Sequence, residues 1–250
     1  MKTIKLSLLL FMAVLFMPTS VLNAQDQMYW IHVDHVKPSM EKEYEKVAKE
    51  FADACKTYSI PDFTFNVWRH DNGSYYYSSP MKNFAEMDKD GMKPLRDKMG
   101  TDKFKSMFER FDKCYDSHQS FMTTYRSDLS YLPEGKSPEG DFNKYHYLYV
   151  TPANSSAVAE KMKEIKNLWA KKGSKLPYIV LHSGFGAEEE FYLVIMRNKD
   201  SQGQTIASSE NNKLLGEEWQ KKWDELYPLL SQYNTETSMY KLDLSYNPKK

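Results

Sequence analysis

Tyr125-Arg-Ser-Asp-Leu-Ser-Tyr131, followed by Leu-Pro133, returns as Tyr240-Lys-Leu-Asp-Leu-Ser-Tyr246, followed by Asn-Pro248, at an offset of 115 residues. Within a residue or two the same offset pairs Trp30-Ile-His-Val33 with Tyr147-Leu-Tyr-Val150, Pro61 with Pro177, and Tyr75-Tyr-Tyr77 with Phe191-Tyr-Leu193. It also sets Phe104, Phe108 and Phe111 opposite Trp219, Trp223 and Leu226. Segments kept in order at one spacing read as an internal repeat. The expected division is a first domain over 25–132, a Pro- and Gly-containing linker over 133–143, and a second domain over 144–250.

Each half carries the same succession of periods. In the first, the aromatic and β-branched run 29–36 predicts a strand, and Ser39 then offers an N-cap to a helix striped by Met40, Tyr44, Val47, Phe51 and Tyr58. Strand-like runs 63–69 and 74–79 flank His70-Asp-Asn-Gly73, a hairpin signal. A short helix over 84–90 stops at Gly91, a longer one over 101–115 carries Phe104, Met107, Phe108 and Phe111 on one face, and 121–129 closes the unit as a strand. The second half repeats the order, with Val158, Met162, Ile165 and Trp169 on its first helix and Leu215, Trp219, Trp223, Leu226 and Leu230 on its last. A βαββαβ unit is the ferredoxin-like arrangement, with one sheet face left bare by the helices. The fold class expected is therefore α+β: two tandem ferredoxin-like units packed sheet to sheet as a pseudo-dimeric α+β barrel.

In element order and in its duplicated strand motif the chain resembles the dimeric α+β barrel superfamily, which includes antibiotic-biosynthesis monooxygenase-like and NIPSNAP-like domains and the fused chlorite-dismutase-like proteins. The resemblance implies an architecture more than a chemistry, because members range from haem and quinone enzymes to proteins without known activity.

Composition narrows the function. The chain has 250 residues, with 34 Lys+Arg against 34 Asp+Glu and 41% hydrophobic residues, an ordinary globular balance. A formal net charge of zero argues against nucleic-acid binding, which rests on excess positive charge. Lys2 and Lys5 before the apolar run 6–17, then Pro18, Thr19, Ser20 and Ala24, predict a signal peptide over 1–24 and a periplasmic or secreted protein with no membrane association after cleavage.

Alternation along the strands proposes a site on the bare face. Ile31 and Val33, matched to Leu148 and Val150, are assigned toward the helices, which leaves Trp30, His32 and Asp34 with Tyr145, Tyr147 and Tyr149 on the other side. Phe65 and Leu181 are likewise sent to the helices, leaving Asn66, Trp68 and His182; Tyr125 and Tyr240 are sent there too, leaving Arg126 and Lys241. Two readings stand side by side. One is a hydrogen-bonded intersheet core in a non-catalytic structural or protein-interaction module. The other is a cleft for a small aromatic or carboxylated ligand, with Trp30, Asn66, Trp68, Tyr147, Tyr149 and Lys241 as binding residues and cofactor-independent oxidoreductase or isomerase chemistry by His32, His182 and Arg126. In that cleft a histidine would serve as acid or base and Arg126 would hold a carboxylate.

No cofactor is expected. The resemblance admits a haem between sheet and helices, but the helix stripes there read as continuous core, interrupted only by His118 at the end of the long helix of the first half. His32 and Asp34 with His182 make a conceivable metal set, yet no recognised metal motif supports it and no metal is expected. Cys55 and Cys114 fall near the ends of antiparallel helices, too far apart for a disulfide.

Overall fold

The structure, a computed structural model, describes residues 27–248; the expected signal peptide and its cleavage site lie outside the described residues. Eight strands close into one antiparallel barrel: β1 (Met28–Val36), β2 (Asn66–His70), β3 (Ser74–Met81), β4 (Tyr115–Tyr125), β5 (Phe142–Val150), β6 (Ile179–Ser183), β7 (Glu190–Asn198) and β8 (Gln232–Tyr240). Around the barrel the order is β1-β3-β2-β8-β5-β7-β6-β4, so each run of four consecutive strands forms one half of the wall. The seams are β2 with β8, and β4 with β6. Helices α1 (Glu41–Thr57), α2 (Lys93–Met99) and α3 (Thr101–Asp112) cover the first half. Helices α4 (Ser155–Lys171), α5 (Ser201–Leu215) and α6 (Glu217–Leu226) accompany the second.

Three apolar clusters follow. Tyr44, Val47, Phe51, Phe65, Val67, Tyr75, Met107 and Phe111 fill the space between the first half-wall and its helices. Leu148, Val150, Val158, Met162, Ile165, Trp169, Val180, Leu215 and Leu226 do the same in the second. Ile31, Val33, Phe121, Tyr145, Tyr147, Leu181, Phe191, Leu193 and Ile195 fill the barrel itself. Strands are thus covered on both faces, a condition under which alternation loses its contrast.

The repeated motif turns out to be a seam fastener. Ser130 Oγ accepts from the Val180 amide (2.8 Å) and donates to the Arg126 carbonyl (2.7 Å). Ser245 Oγ accepts from the Val67 amide (2.9 Å) and donates to the Lys241 carbonyl (2.8 Å). The Tyr131 hydroxyl donates to Ser174 O and the Tyr246 hydroxyl to Ile60 O, each at 2.8 Å. Leu129 and Tyr131 pack into the core of the second half, whereas Leu244 and Tyr246 pack into that of the first. Each half therefore lends its end segment to the other.

Some expectations change. His118 lies in β4, not on a helix, because the chain turns to strand at Tyr115. Helix α5 was not foreseen: it carries no apolar stripe, burying Gln204, Asn211 and Leu215, and it is capped by Asp200, whose side chain accepts from the Gly203 amide. In the linker, Gly140 adopts φ +114°, and a Cβ there would stand 2.1 Å from the Asn198 carbonyl oxygen, so the close approach requires glycine. Cys55 and Cys114 are both buried and free. Among the described residues no helix is long and apolar enough to cross a membrane.

Candidate functional site

Barrel-facing side chains come from alternate positions. Strand β1 turns Tyr29, Ile31 and Val33 inward, while Asp34 faces α1 and accepts from the Tyr44 hydroxyl at 2.6 Å. This inverts the expected assignment, and Trp30 and His32 go outward with Asp34. The cause is a one-residue slip in matching the halves: Tyr29, Ile31 and Val33 correspond to Tyr145, Tyr147 and Tyr149, and a slip of one exchanges the faces. The same exchange moves three more expected site residues outside. Leu181 is in the barrel, so His182 points out, stacks on Tyr192 (ring centroids 4.4 Å apart) and bonds Glu190 at 2.9 Å. Hydrogen bonds from Ser155 and then His182 hold the Glu190 carboxyl below its ordinary range. Tyr125 is barrel-facing, so Arg126 turns out and forms a two-pronged pair with Asp128, both contacts at 2.8 Å. Lys241 pairs with Glu45 (2.7 Å) on the outer side. His32, His182, Arg126, Trp30 and Lys241 therefore do not share a cleft. Asn66, Trp68, Tyr147 and Tyr149 do face inward as expected: Tyr147 and Tyr149 in the barrel cluster, Trp68 against Tyr240 (5.5 Å), and Asn66 accepting from the Tyr240 hydroxyl (3.0 Å).

Two groups inside the barrel escaped the sequence reading. The first is Arg197, next in the inward series Phe191, Leu193, Ile195. The chain has five arginines; Arg69, Arg96, Arg110 and Arg126 pair with Glu41, Asp90, Glu43 and Asp128. Among the described residues Arg197 pairs with no carboxylate; its guanidinium lies over the Trp68 ring, 5.7 Å from the centroid, and its Nε is buried without a hydrogen-bond partner. Tyr29 and Tyr125 stand nearby: burial and Tyr125 raise the Tyr29 phenol above its ordinary range, against the pull of Arg197. Arg197, Trp68, Tyr29, Tyr125, Asn66 and Tyr240 are all half-buried, so they form a mouth above the packed barrel centre. The second group is His70, whose ring is sandwiched between Tyr76 (3.8 Å) and Tyr145 (4.9 Å), with Nδ1 donating to Glu236 Oε2 at 2.8 Å. Tyr145 links the two: its phenol, pushed up to about 12 by burial, feels both Arg197 and Glu236. Extending the β7 alternation by one step, and running β2 to the end of the hairpin, would have exposed both groups.

A further open space lies elsewhere. A groove of about 790 Å³ separates α5 from the outer side of β5 and β8, lined by Lys144, His146, Gln204, Ser208, Asn212 and Lys213 among others. His146 is bonded to the Tyr233 hydroxyl (2.6 Å), and burial lowers its pKa to about 4, so the ring is neutral.

No protein-family profile matches the chain, and no curated protein matches it. Solved structures do. An anthrone oxidase-like protein shares 10% identity at a TM-score of 0.56, over 86% of this chain and 92% of its own. A proposed monooxygenase from Lactobacillus acidophilus shares 12% at 0.53, over 90% and 97%. A variant of chlorite dismutase from Candidatus Nitrospira defluvii shares 9% at 0.53, over 89% and 94%. At these identities the likeness is one of fold: α+β barrels of ferredoxin-like type.

The chlorite dismutases correct the expectation of no cofactor, because they fall in the haem branch of the superfamily. The groove beside α5 has the room and one neutral imidazole, His146, with Lys144 and Lys213 at hand for carboxylates. Its remaining lining is largely serine, threonine, asparagine and glutamine, whereas a tetrapyrrole needs apolar walls. Elsewhere the layers between sheet and helices are filled with side chains. The residues present do not fit a haem.

Proposed function

We propose that the barrel mouth around Arg197 binds a small aromatic carboxylate, in an exported protein built from two copies of one ferredoxin-like unit. A single observation carries this reading: alone among five arginines, Arg197 has no counter-ion among the described residues, and it faces the barrel interior with a buried, unsatisfied Nε. Leaving a donor buried and unpaired costs ~1–3 kcal/mol, a penalty that a planar anion removes by accepting from the guanidinium fork. Trp68, Tyr29 and Tyr125 supply flat surface for an aromatic body, and Asn66 and Tyr240 supply polar contacts. The exchanged end segments and the matching hydrogen bonds of Ser130 and Ser245 support the duplicated origin.

Tyr145 stands beside this seat, its ring stacked on His70 and its hydroxyl accepting from Ser238 at 3.0 Å. Oxygen-dependent turnover of the bound acid, in keeping with the monooxygenase-like neighbours, is the activity to assay first.

The test is a panel of benzoates, hydroxybenzoates and matched neutral amides read by thermal shift and Trp fluorescence. Carboxylates should raise Tm in a salt-sensitive way, amides should not, and Arg197→Met should abolish the response while Arg126→Met keeps it. A response equal in wild type and Arg197→Met, or none from any panel member, would overturn the reading in favour of a non-catalytic module.

A further inference from the structure

We propose that His32, Asp34 and His118 form a binding site for one divalent transition-metal ion, on the outer face of the barrel and independent of the Arg197 seat. Strands β1 and β4 pair with Asp34 opposite His118 and His32 opposite Ser120, which brings the three side chains to one face. Their donor atoms all lie within 4.8 Å of one another. Each donor is prepared differently. Asp34 is only 4% exposed and has Oδ2 engaged by the Tyr44 hydroxyl at 2.6 Å, so Oδ1 is the oxygen left to an ion. Its one ion-pair partner among the described residues is His32, whose Nε2 stands 3.0 Å from Oδ1. The Nδ1 of His32 is bonded to Ser120 Oγ at 2.9 Å, an outer contact that fixes the ring with Nε2 aimed at the carboxylate. His118 meets His32 edge-on, with ring centroids 5.3 Å apart, and is exposed, so it supplies both the movable third ligand and the path of entry.

Two imidazole nitrogens and one carboxylate oxygen suit zinc or ferrous iron, whereas magnesium and calcium favour all-oxygen sites and copper(I) favours thiolates. In a tetrahedral zinc site neighbouring donors lie ~3.3 Å apart, so His118 has at most roughly 1.5 Å to close. The His32–Asp34 edge is already at 3.0 Å. Binding replaces the hydrogen bond between them: the proton on Nε2 moves to Nδ1, where Ser120 Oγ accepts it, and Nε2 and Oδ1 both turn their lone pairs to the ion. Three protein ligands leave a position for water, the arrangement of a catalytic rather than a closed structural site. His182, grouped with His32 and Asp34 from the sequence, instead bonds Glu190 at 2.9 Å. His182 is on the other half, and His118 had been assigned to a helix.

The experiment uses the full chain without a histidine tag, stripped with EDTA and titrated with zinc by calorimetry and with cobalt(II) by visible absorption. One equivalent should bind, and cobalt(II) should give d–d bands of a low-coordinate N/O site. His118→Ala, at an exposed position, should weaken zinc by at least about tenfold. His35→Ala, an exposed neighbour outside the cluster, should leave it unchanged. If His118→Ala cannot be recovered folded by circular dichroism, His32→Gln with Asp34 intact serves instead, with the same loss expected. Absence of saturable one-equivalent binding, or equal affinity in wild type and His118→Ala, would overturn the proposal.

Discussion

Replacing His70 with alanine is expected to lower the unfolding free energy by about 3 kcal/mol, the order expected for losing a buried hydrogen bond to a carboxylate together with the packing of the ring. The His70 side chain is 2% exposed and that of Glu236 28%, so the carboxylate left behind would be only partly rescued by water. The stacking on Tyr76 and Tyr145 would be lost as well. A size-matched apolar double replacement, His70→Phe with Glu236→Leu, should recover most of the loss, because no polar group is then left without its partner. Urea unfolding of wild type, both singles and the double closes this cycle. If the double is no more stable than the worse single, the pair is not what the barrel interior is organised around.

The second large effect is an acid sensitivity centred on His146. Burial, with the neighbouring Lys144, lowers its folded-state pKa from 6.5 to about 4. The unfolded chain therefore takes up this proton first, and stability falls as pH drops. The folded protein has its full stability above pH ~6.5, loses it progressively from there to about pH 4, and gains no further loss from this group below that, where both states are protonated. A shift of this size is worth ~3 kcal/mol. His146→Gln should flatten that part of the stability–pH curve relative to wild type. Parallel curves for the two proteins would show that His146 is not held neutral by the fold.

What the sequence disclosed, and what it hid, follows from how each strand is covered. The repeat was legible because Ser130 and Ser245 perform the same backbone bonding at two seams. Strand β5 was legible because Tyr145, Tyr147 and Tyr149 alternate with Leu148 and Val150, and each set lands in a different core. In β1 both faces are buried: Ile31 and Val33 enter the barrel while Asp34 goes beneath α1 on the Tyr44 hydroxyl, so polarity pointed the wrong way. Arg126 looked like the barrel arginine because its strand was extended past Tyr125, and Arg197 was missed because an arginine ending an apolar series reads as a strand edge. His118 was hidden by a helix that stops earlier than its stripe suggested. Metal geometry of this kind depends on cross-strand register, which a single sequence does not print.

The guanidinium Nε of Arg197 is the atom on which the account turns. Nitrogen-15 arginine spectra, with the Arg197 Nε–H resonance assigned by its absence in Arg197→Lys, should show that resonance moving saturably as benzoate is added, with the other four arginine signals unmoved. An Arg197 signal that stays in place while benzoate shifts the paired arginines, or shifts none, would contradict a carboxylate seat in the barrel.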